Sequence, residues 1–201
     1  MIVVDIEASG VDLEKCGIWQ IGAVELENPE NTFLEEARVG EDSIFRLEPT
    51  TAEKLFGKTE EELRSKDKQS EKQLISNFFK WCSGIKENTF ICQHPQFDHA
   101  FLEQKSRKYD LKFPVSYRAF DLHSFANFKY FLLNKKFPTE KGKINFGLKK
   151  TLIFVGMEDP RKEHNALEDA KLTAECFSRL VYGKNLLSEY SKFKLPDYLI
   201  K

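Results

Sequence analysis

Met1-Ile2-Val3-Val4-Asp5-Ile6-Glu7 opens the chain with an apolar run that closes on two carboxylates. The run predicts a strand over residues 1–6. Residues two apart on a strand face the same way, so Asp5 and Glu7 stand side by side where the strand leaves the core. Two carboxylates this close repel unless a cation lies between them. For an all-oxygen site the natural cation is Mg²⁺ or Mn²⁺.

Working outward, Ile18-Trp19-Gln20-Ile21-Gly22-Ala23-Val24-Glu25-Leu26 predicts a second strand, and Ile44-Phe45-Arg46-Leu47 a short third. The Gly and polar residues between Ala8 and Gly17 predict a turn, so the first two strands pair as an antiparallel hairpin. Residues 28–42, with Asn, Pro and many Glu, read as a loop. A short helix is expected within 59–69. An amphipathic helix follows over 71–82, with Leu74, Ile75, Phe78, Phe79 and Trp81, and ends near Gly84. Thr89-Phe90-Ile91-Cys92 reads as a buried strand. Helices are expected over 98–109, 119–133, 146–155 and 165–182, and a basic loop over 134–143. Strands first, then strands alternating with helices, predict an α/β fold: a mixed sheet flanked by helices.

The 201 residues allow one domain with a substantial core. Cys16, Cys82, Cys92 and Cys176 show no C-x-x-C spacing and fall mostly in apolar stretches, as buried free thiols do in a reducing compartment. The four His residues do not fall at zinc-finger spacing. No apolar run reaches the roughly 20 residues of a membrane span. The early acids also break any leader-like pattern. A cytoplasmic protein without a membrane partner is expected. The net charge of −1 hides an asymmetry: residues 105–162 hold 14 Lys+Arg against 5 Asp+Glu, whereas residues 1–104 hold 11 against 21. A basic surface beside an acidic one follows.

Further ionisable groups fall at element ends. Asp98 follows the strand at 89–92 through His94-Pro95-Gln96-Phe97, in the first turn of a helix. His164 and Asp169 flank the start of the 165–182 helix, where Ala166, Ala170 and Thr173 let it pack closely on the sheet. Taken alone, Asp98 reads first as a helix cap, and His164 and Asp169 as solvated. Together, four carboxylates at one sheet edge require divalent cations. Two such cations can bind the attacking and leaving oxygens of a phosphodiester. A neutral His at the rim can take a proton from water near pH 7.

This arrangement resembles the DEDDh branch of the DEDD superfamily of 3′–5′ exonucleases. The resemblance rests on four pieces in order: Asp5-Ile6-Glu7-Ala8-Ser9-Gly10, Trp19-Gln20-Ile21-Gly22-Ala23-Val24, Phe97-Asp98, and His164 with Asp169-Ala170. It implies a ribonuclease H-like fold over residues 1–182, with 183–201 as a C-terminal extension packed on the same domain. It implies two divalent cations, Mg²⁺ or Mn²⁺. Asp5 would bridge both, Glu7 and Asp169 would hold the nucleophile-side ion, Asp98 would assist at the second, and His164 would be the general base. Ser9 and Gly10 would approach the 3′-terminal nucleotide. Phe97 would pack in the core or touch the terminal base. His94 departs from the family's usual Asn and would substitute for it as a hydrogen-bonding group. Ala8 replaces a frequent Thr. His99, beside Asp98, reads as an exposed helix residue.

The implied substrate is nucleic acid with a 3′ end, single-stranded, DNA or RNA, released as nucleoside 5′-monophosphates. Residues 105–162 also hold 11 aromatic residues, and Lys135, Lys136, Lys141 and Lys143 flank a Gly/Pro-containing loop suited to a phosphate backbone. A polymerase or other protein partner is compatible with the family. The competing expectation is a catalytically inactive nucleic-acid-binding or scaffold module of the same fold.

Overall fold

The structure, a computed structural model, describes residues 1–45, 57–161 and 164–200. β1 (Ile2–Ala8) is buried along almost its whole length because it lies at the centre of a five-stranded sheet. The sheet order is β3-β2-β1-β4-β5, with β2 (Ile18–Glu25), β3 (Asn28–Glu36), β4 (Phe90–Cys92) and β5 (Ala119–Asp121). β1, β2 and β3 form an antiparallel meander, while β4 runs parallel to β1 and β5 parallel to β4. The expected mixed sheet with antiparallel N-terminal strands is what forms.

Helices cover both faces. Even-numbered β1 residues Ile2, Val4, Ile6 and Ala8 join a core with Leu74, Ile75 and Phe78 of α2 (Glu71–Ser83) and Phe101 and Leu102 of α3 (Asp98–Lys108). Ser70 caps α2, accepting from the Gln73 N–H at 3.2 Å. A four-residue α1 (Glu60–Leu63) precedes it. On the opposite face, Val3 and Ile91 pack against Leu122 and Ala126 of α4 (Leu122–Asn134), Leu152 of α5 (Leu148–Phe154), and Leu172, Cys176 and Phe177 of α6 (Ala166–Tyr182). All four cysteines are free and buried. Among the described residues no helix is long and apolar enough to cross a membrane.

Four expectations need correction. Residues 28–36 are not loop but the edge strand β3, in which Phe33 alone is buried. Its Pro and charges look like loop, yet an edge strand tolerates both. Ile44 and Phe45 belong to no strand, and the rest of the expected strand at 44–47 lies outside the described residues. Residues 119–121 form β5 before α4 starts, because Asp121 caps the helix by accepting from the His123 N–H at 3.0 Å. Within the expected basic loop, Thr139–Glu140 (β6) and Lys143–Ile144 (β7) pair as a small hairpin.

Two buried ion pairs tie the periphery to this frame. Lys105 donates to the Cys16 carbonyl and lies 3.8 Å from Glu71, whose carboxylate accepts from Ile18 N–H at 2.6 Å. That holds the turn between β1 and β2. Arg179, fully buried in α6, donates to Glu175 at 2.7 Å and to the carbonyls of Val155, Tyr190 and Phe193 at 3.0, 3.1 and 3.1 Å. Glu175 in turn accepts from Leu186 and Leu187 N–H at 2.9 and 2.8 Å. Buried charges persist only with such a full set of partners.

Candidate active site

The strand period decides which face the first acids take. Val3, Asp5 and Glu7 point to the α6 side, opposite Ile2, Val4 and Ile6. β4 pairs with β1 only at Ile2 and Val3 and then diverges, which opens a cleft beside Asp5 and Glu7. The Ile6 N–H, left without a strand partner on that side, donates to Asp98 Oδ1 at 3.1 Å. The orphaned backbone donor thus pins Asp98, in the first turn of α3, against β1.

Asp169 arrives on α6 by close backbone packing. A Cβ at Gly22 would lie 2.0 Å from Leu167 N and 2.1 Å from the Ala166 carbonyl carbon, so only glycine lets the start of α6 rest on β2. Gln20 completes the seat: its Oε1 accepts from the Ala166 N–H at 2.8 Å, and its Nε2 donates to Glu36 at 3.0 Å. Asn165 caps the helix by accepting from Leu167 and Glu168 N–H. Ala166, Ala170 and Thr173 are buried on this face.

Asp5, Glu7, Asp98, His164 and Asp169 therefore line one cavity of about 280 Å³, with His94, Phe97, Gln93 and Arg161 on its walls. Ligand atoms of Glu7, His164 and Asp169 lie within 4.8 Å of one another. His164 Nδ1 is 3.1 Å from Asp169 Oδ2. Burial first, and then the Asp98, Glu7 and Asp169 carboxylates, pushes Asp5 well above the usual carboxylate range. Burial likewise raises Glu7 to about 8 and Asp98 to about 7. His164 is raised, chiefly by its hydrogen bond to Asp169. Asp5, Glu7 and Asp98 thus hold their protons more tightly than ordinary carboxylates, and divalent cations bound among them would offset that repulsion.

Arg161 is the residue the sequence reading missed. Its Nη1 donates to Asp169 Oδ1 at 2.9 Å, while Nε and Nη2 grip Asp159, each at 2.8 Å. An Arg beside Asp159, Pro160 and Lys162 gives no sequence signal of a cleft position.

Other expected contacts are placed differently. Ser9 and Gly10 do not line the cavity. The Ser9 hydroxyl donates to the Ile44 carbonyl at 2.7 Å and accepts from Gly17 N–H at 2.9 Å, so it braces the turn. Phe97 lines the cavity and also packs its ring 4.9 Å from Phe101. His99 is buried, not exposed: its Nε2 is 3.0 Å from the Ser116 carbonyl, and its ring meets Phe90 and Phe113. Lys135 and Lys136 are exposed at the far end of the 13-residue α4, about 20 Å from its start near the cleft.

A family model for exonucleases, RNase T, matches residues 2–177. The chain belongs to this exonuclease family. Asp5, Glu7, Asp98, His164 and Asp169 all fall within the matched span. Among curated proteins, none matches the chain in sequence. Among solved structures, the nuclease domain of 3′hExo, a DEDDh family member, bound to rAMP, superposes with a TM-score of 0.64 at 15% identity, over 98% of this chain and 95% of that one. A 3′-exonuclease in 3′-end-specific recognition of histone mRNA stem-loop gives 0.67 at 17%, over 92% and 64%. E. coli exonuclease I in complex with a dT13 oligonucleotide gives 0.66 at 15%, over 89% of this chain but 40% of that one. The shared fold is the ribonuclease H-like exonuclease fold.

Proposed function

We propose that this nuclease removes nucleoside 5′-monophosphates from the 3′ end of single-stranded DNA or RNA, with two divalent cations, Mg²⁺ or Mn²⁺, and His164 as general base. The observation that carries the reading is the convergence of Asp5, Glu7, Asp98 and Asp169 from β1, α3 and α6 into one cavity with His164 at its rim. Hard oxygen ligands suit these cations, and the four acids would hold them. When bound, such a pair stabilises the attacking and leaving oxygens of phosphodiester hydrolysis. His164, part-exposed beside Asp169, accepts the proton from the attacking water. Phe97 and His94 line the cavity where a terminal nucleotide would rest.

The polarity and the single strand are supported by relatives of the same fold that carry rAMP, dT13 or an RNA 3′ end. Beyond the cleft, Lys135 and Lys136 lie next to the Phe131–Phe137 pair, stacked at 4.9 Å and 23°, and would hold the strand some nucleotides upstream. Four buried free thiols suit a reducing compartment, and we place the protein in the cytoplasm.

The test is a 5′-labelled oligonucleotide, DNA or RNA, incubated with Mg²⁺ or Mn²⁺ and with chelator. A ladder shortening from the 3′ end is expected with metal and not with chelator. It should vanish in Asp5→Asn and fall at least about a hundredfold in His164→Ala. Intact substrate under all conditions would overturn the enzyme reading and leave an inactive binding module of the same fold.

A further inference from the structure

Beside the four-carboxylate floor lies a second group of metal-binding side chains. β4 and β5 are parallel neighbours, with Cys92 opposite Asp121. Two residues beyond each of those partners stands a histidine, His94 on one strand's exit and His123 on the other's. Ligand atoms of His94, Asp121 and His123 lie within 4.8 Å of one another. The two rings face each other with centroids 4.8 Å apart and planes tilted by 44°.

The carboxylate between them is already oriented. Asp121 accepts from the His123 backbone N–H at 3.0 Å through Oδ1 and from the Ser124 hydroxyl at 2.5 Å through Oδ2. Outer hydrogen bonds of this kind commonly aim a metal-binding carboxylate. The group sits outside the carboxyl ends of two parallel strands, where open α/β sheets form their ligand crevices. His94 also lines the catalytic cavity, which puts the cluster on its rim.

We propose that His94, Asp121 and His123 bind a borderline-soft divalent cation, Zn²⁺ in first place, at a site separate from the four-carboxylate floor. Two imidazoles and one carboxylate are a recurrent three-ligand zinc set that leaves a fourth position open. Imidazole favours Zn²⁺, whereas the all-oxygen floor suits Mg²⁺, so one cleft offers sites of different hardness. Bonds of about 2.0–2.2 Å in tetrahedral geometry put ligand atoms roughly 3.5 Å apart, a spacing within reach of atoms that already lie within 4.8 Å of one another. His94 is exposed, so its ring is free to adjust to a bound ion. Burial and the adjoining His94 ring lower His123 below the ordinary histidine range, which favours the neutral, metal-binding ring.

The experiment uses the full chain with its floor silenced by Asp5→Asn with Glu7→Gln, which neutralises the acids without changing their shape. Zn²⁺ is titrated by calorimetry in excess Mg²⁺, and Co²⁺ by its visible absorption. One equivalent of Zn²⁺ is expected, at micromolar or tighter Kd, with a Co²⁺ spectrum of a nitrogen-containing site of low coordination number. Adding His123→Ala should weaken Zn²⁺ at least about tenfold. His94→Ala, at an exposed position, should do the same without risk to folding. The site is overturned if the silenced chain takes up no Zn²⁺, or if its uptake is unchanged by His94→Ala.

Discussion

Arg161 brings a cation to a place where the fold gathers acids. Its side chain is 14% exposed and that of Asp169 5%, so their 2.9 Å contact is shielded from solvent. Without divalent metal, this guanidinium offsets part of the repulsion among Asp5, Glu7, Asp98 and Asp169. Arg161→Gln should therefore destabilise the metal-free protein by roughly 1–3 kcal/mol, leaving a buried carboxylate less well compensated. The same change should tighten Mn²⁺ binding, since a competing cation has gone. Melting in chelator and in saturating Mn²⁺ tests this. An equal Tm shift in both conditions would refute a role tied to the metal-free state. Legibility at this scale was uneven for a physical reason. Asp5 and Glu7 could be read from the two-residue strand period alone. Asp98, His164 and Asp169 have no local pattern that separates a ligand from a cap or a solvated group, and family likeness singled them out. Arg161 and the turn-binding hydroxyl of Ser9 depend on neighbours distant in sequence, such as Asp169 and Ile44.

Elements with a strong apolar period were readable in advance, as α2 and α6 were, because one face of each must be buried. β3 was not, since an edge strand with one buried side chain lacks the period-two signal. β5 was absorbed into the helix that follows it, because three residues are too few to show alternation. The seat of α6 on β2 gives the sharpest element-scale prediction. A methyl at Gly22 would meet the α6 backbone at 2.0 Å, and backbone cannot rotate away. Gly22→Ala should cost about 3 kcal/mol or more, which lowers Tm by roughly 6–12 °C in a domain of this size. Because α6 carries Asp169 and follows His164, nuclease activity should fall even at temperatures where the variant stays folded. Gly147→Ala is the control: nothing lies within 4 Å of its added methyl, so Tm should move by less than about 1–2 °C. Thermal melts of the two variants decide the matter, and equal behaviour would mean that α6 can lift off β2 at little cost.

At the scale of the whole molecule, two cores on opposite faces of one sheet hold α3 and α6 firmly enough to keep like charges together. That frame carries an electrostatic cost which must depend on pH. Glu7 titrates at about 8 in the fold against an ordinary 4.5, and Asp98 at about 7 against 3.8. Asp5 and His164 are raised as well. A raised group binds more protons folded than unfolded, so its contribution is full below the unfolded value and is lost as pH climbs through the folded one. Glu7 acts between about pH 4.5 and 8 and Asp98 between about 3.8 and 7, while His164 adds to the fall only above about 6.5. Glu36 and Asp159, held low by burial-opposing bonds to Lys58 and Lys68 and to Arg161, act oppositely at more acid pH, and His123, held low by burial and the His94 ring, offsets part of the fall below about pH 6.5. In chelator, stability should thus fall from pH 5 to pH 8 by about 2 kcal/mol or more, or roughly 4–8 °C in Tm. Saturating Mg²⁺ or Mn²⁺ should flatten this slope, because cations bind the deprotonated carboxylates and stabilise the fold by linkage. Asp5→Asn with Glu7→Gln should flatten it without metal. Melts across this pH range, with and without cation, read the effect directly. A metal-free Tm that stays level or rises toward pH 8 would mean that the four acids are not held together against their charge.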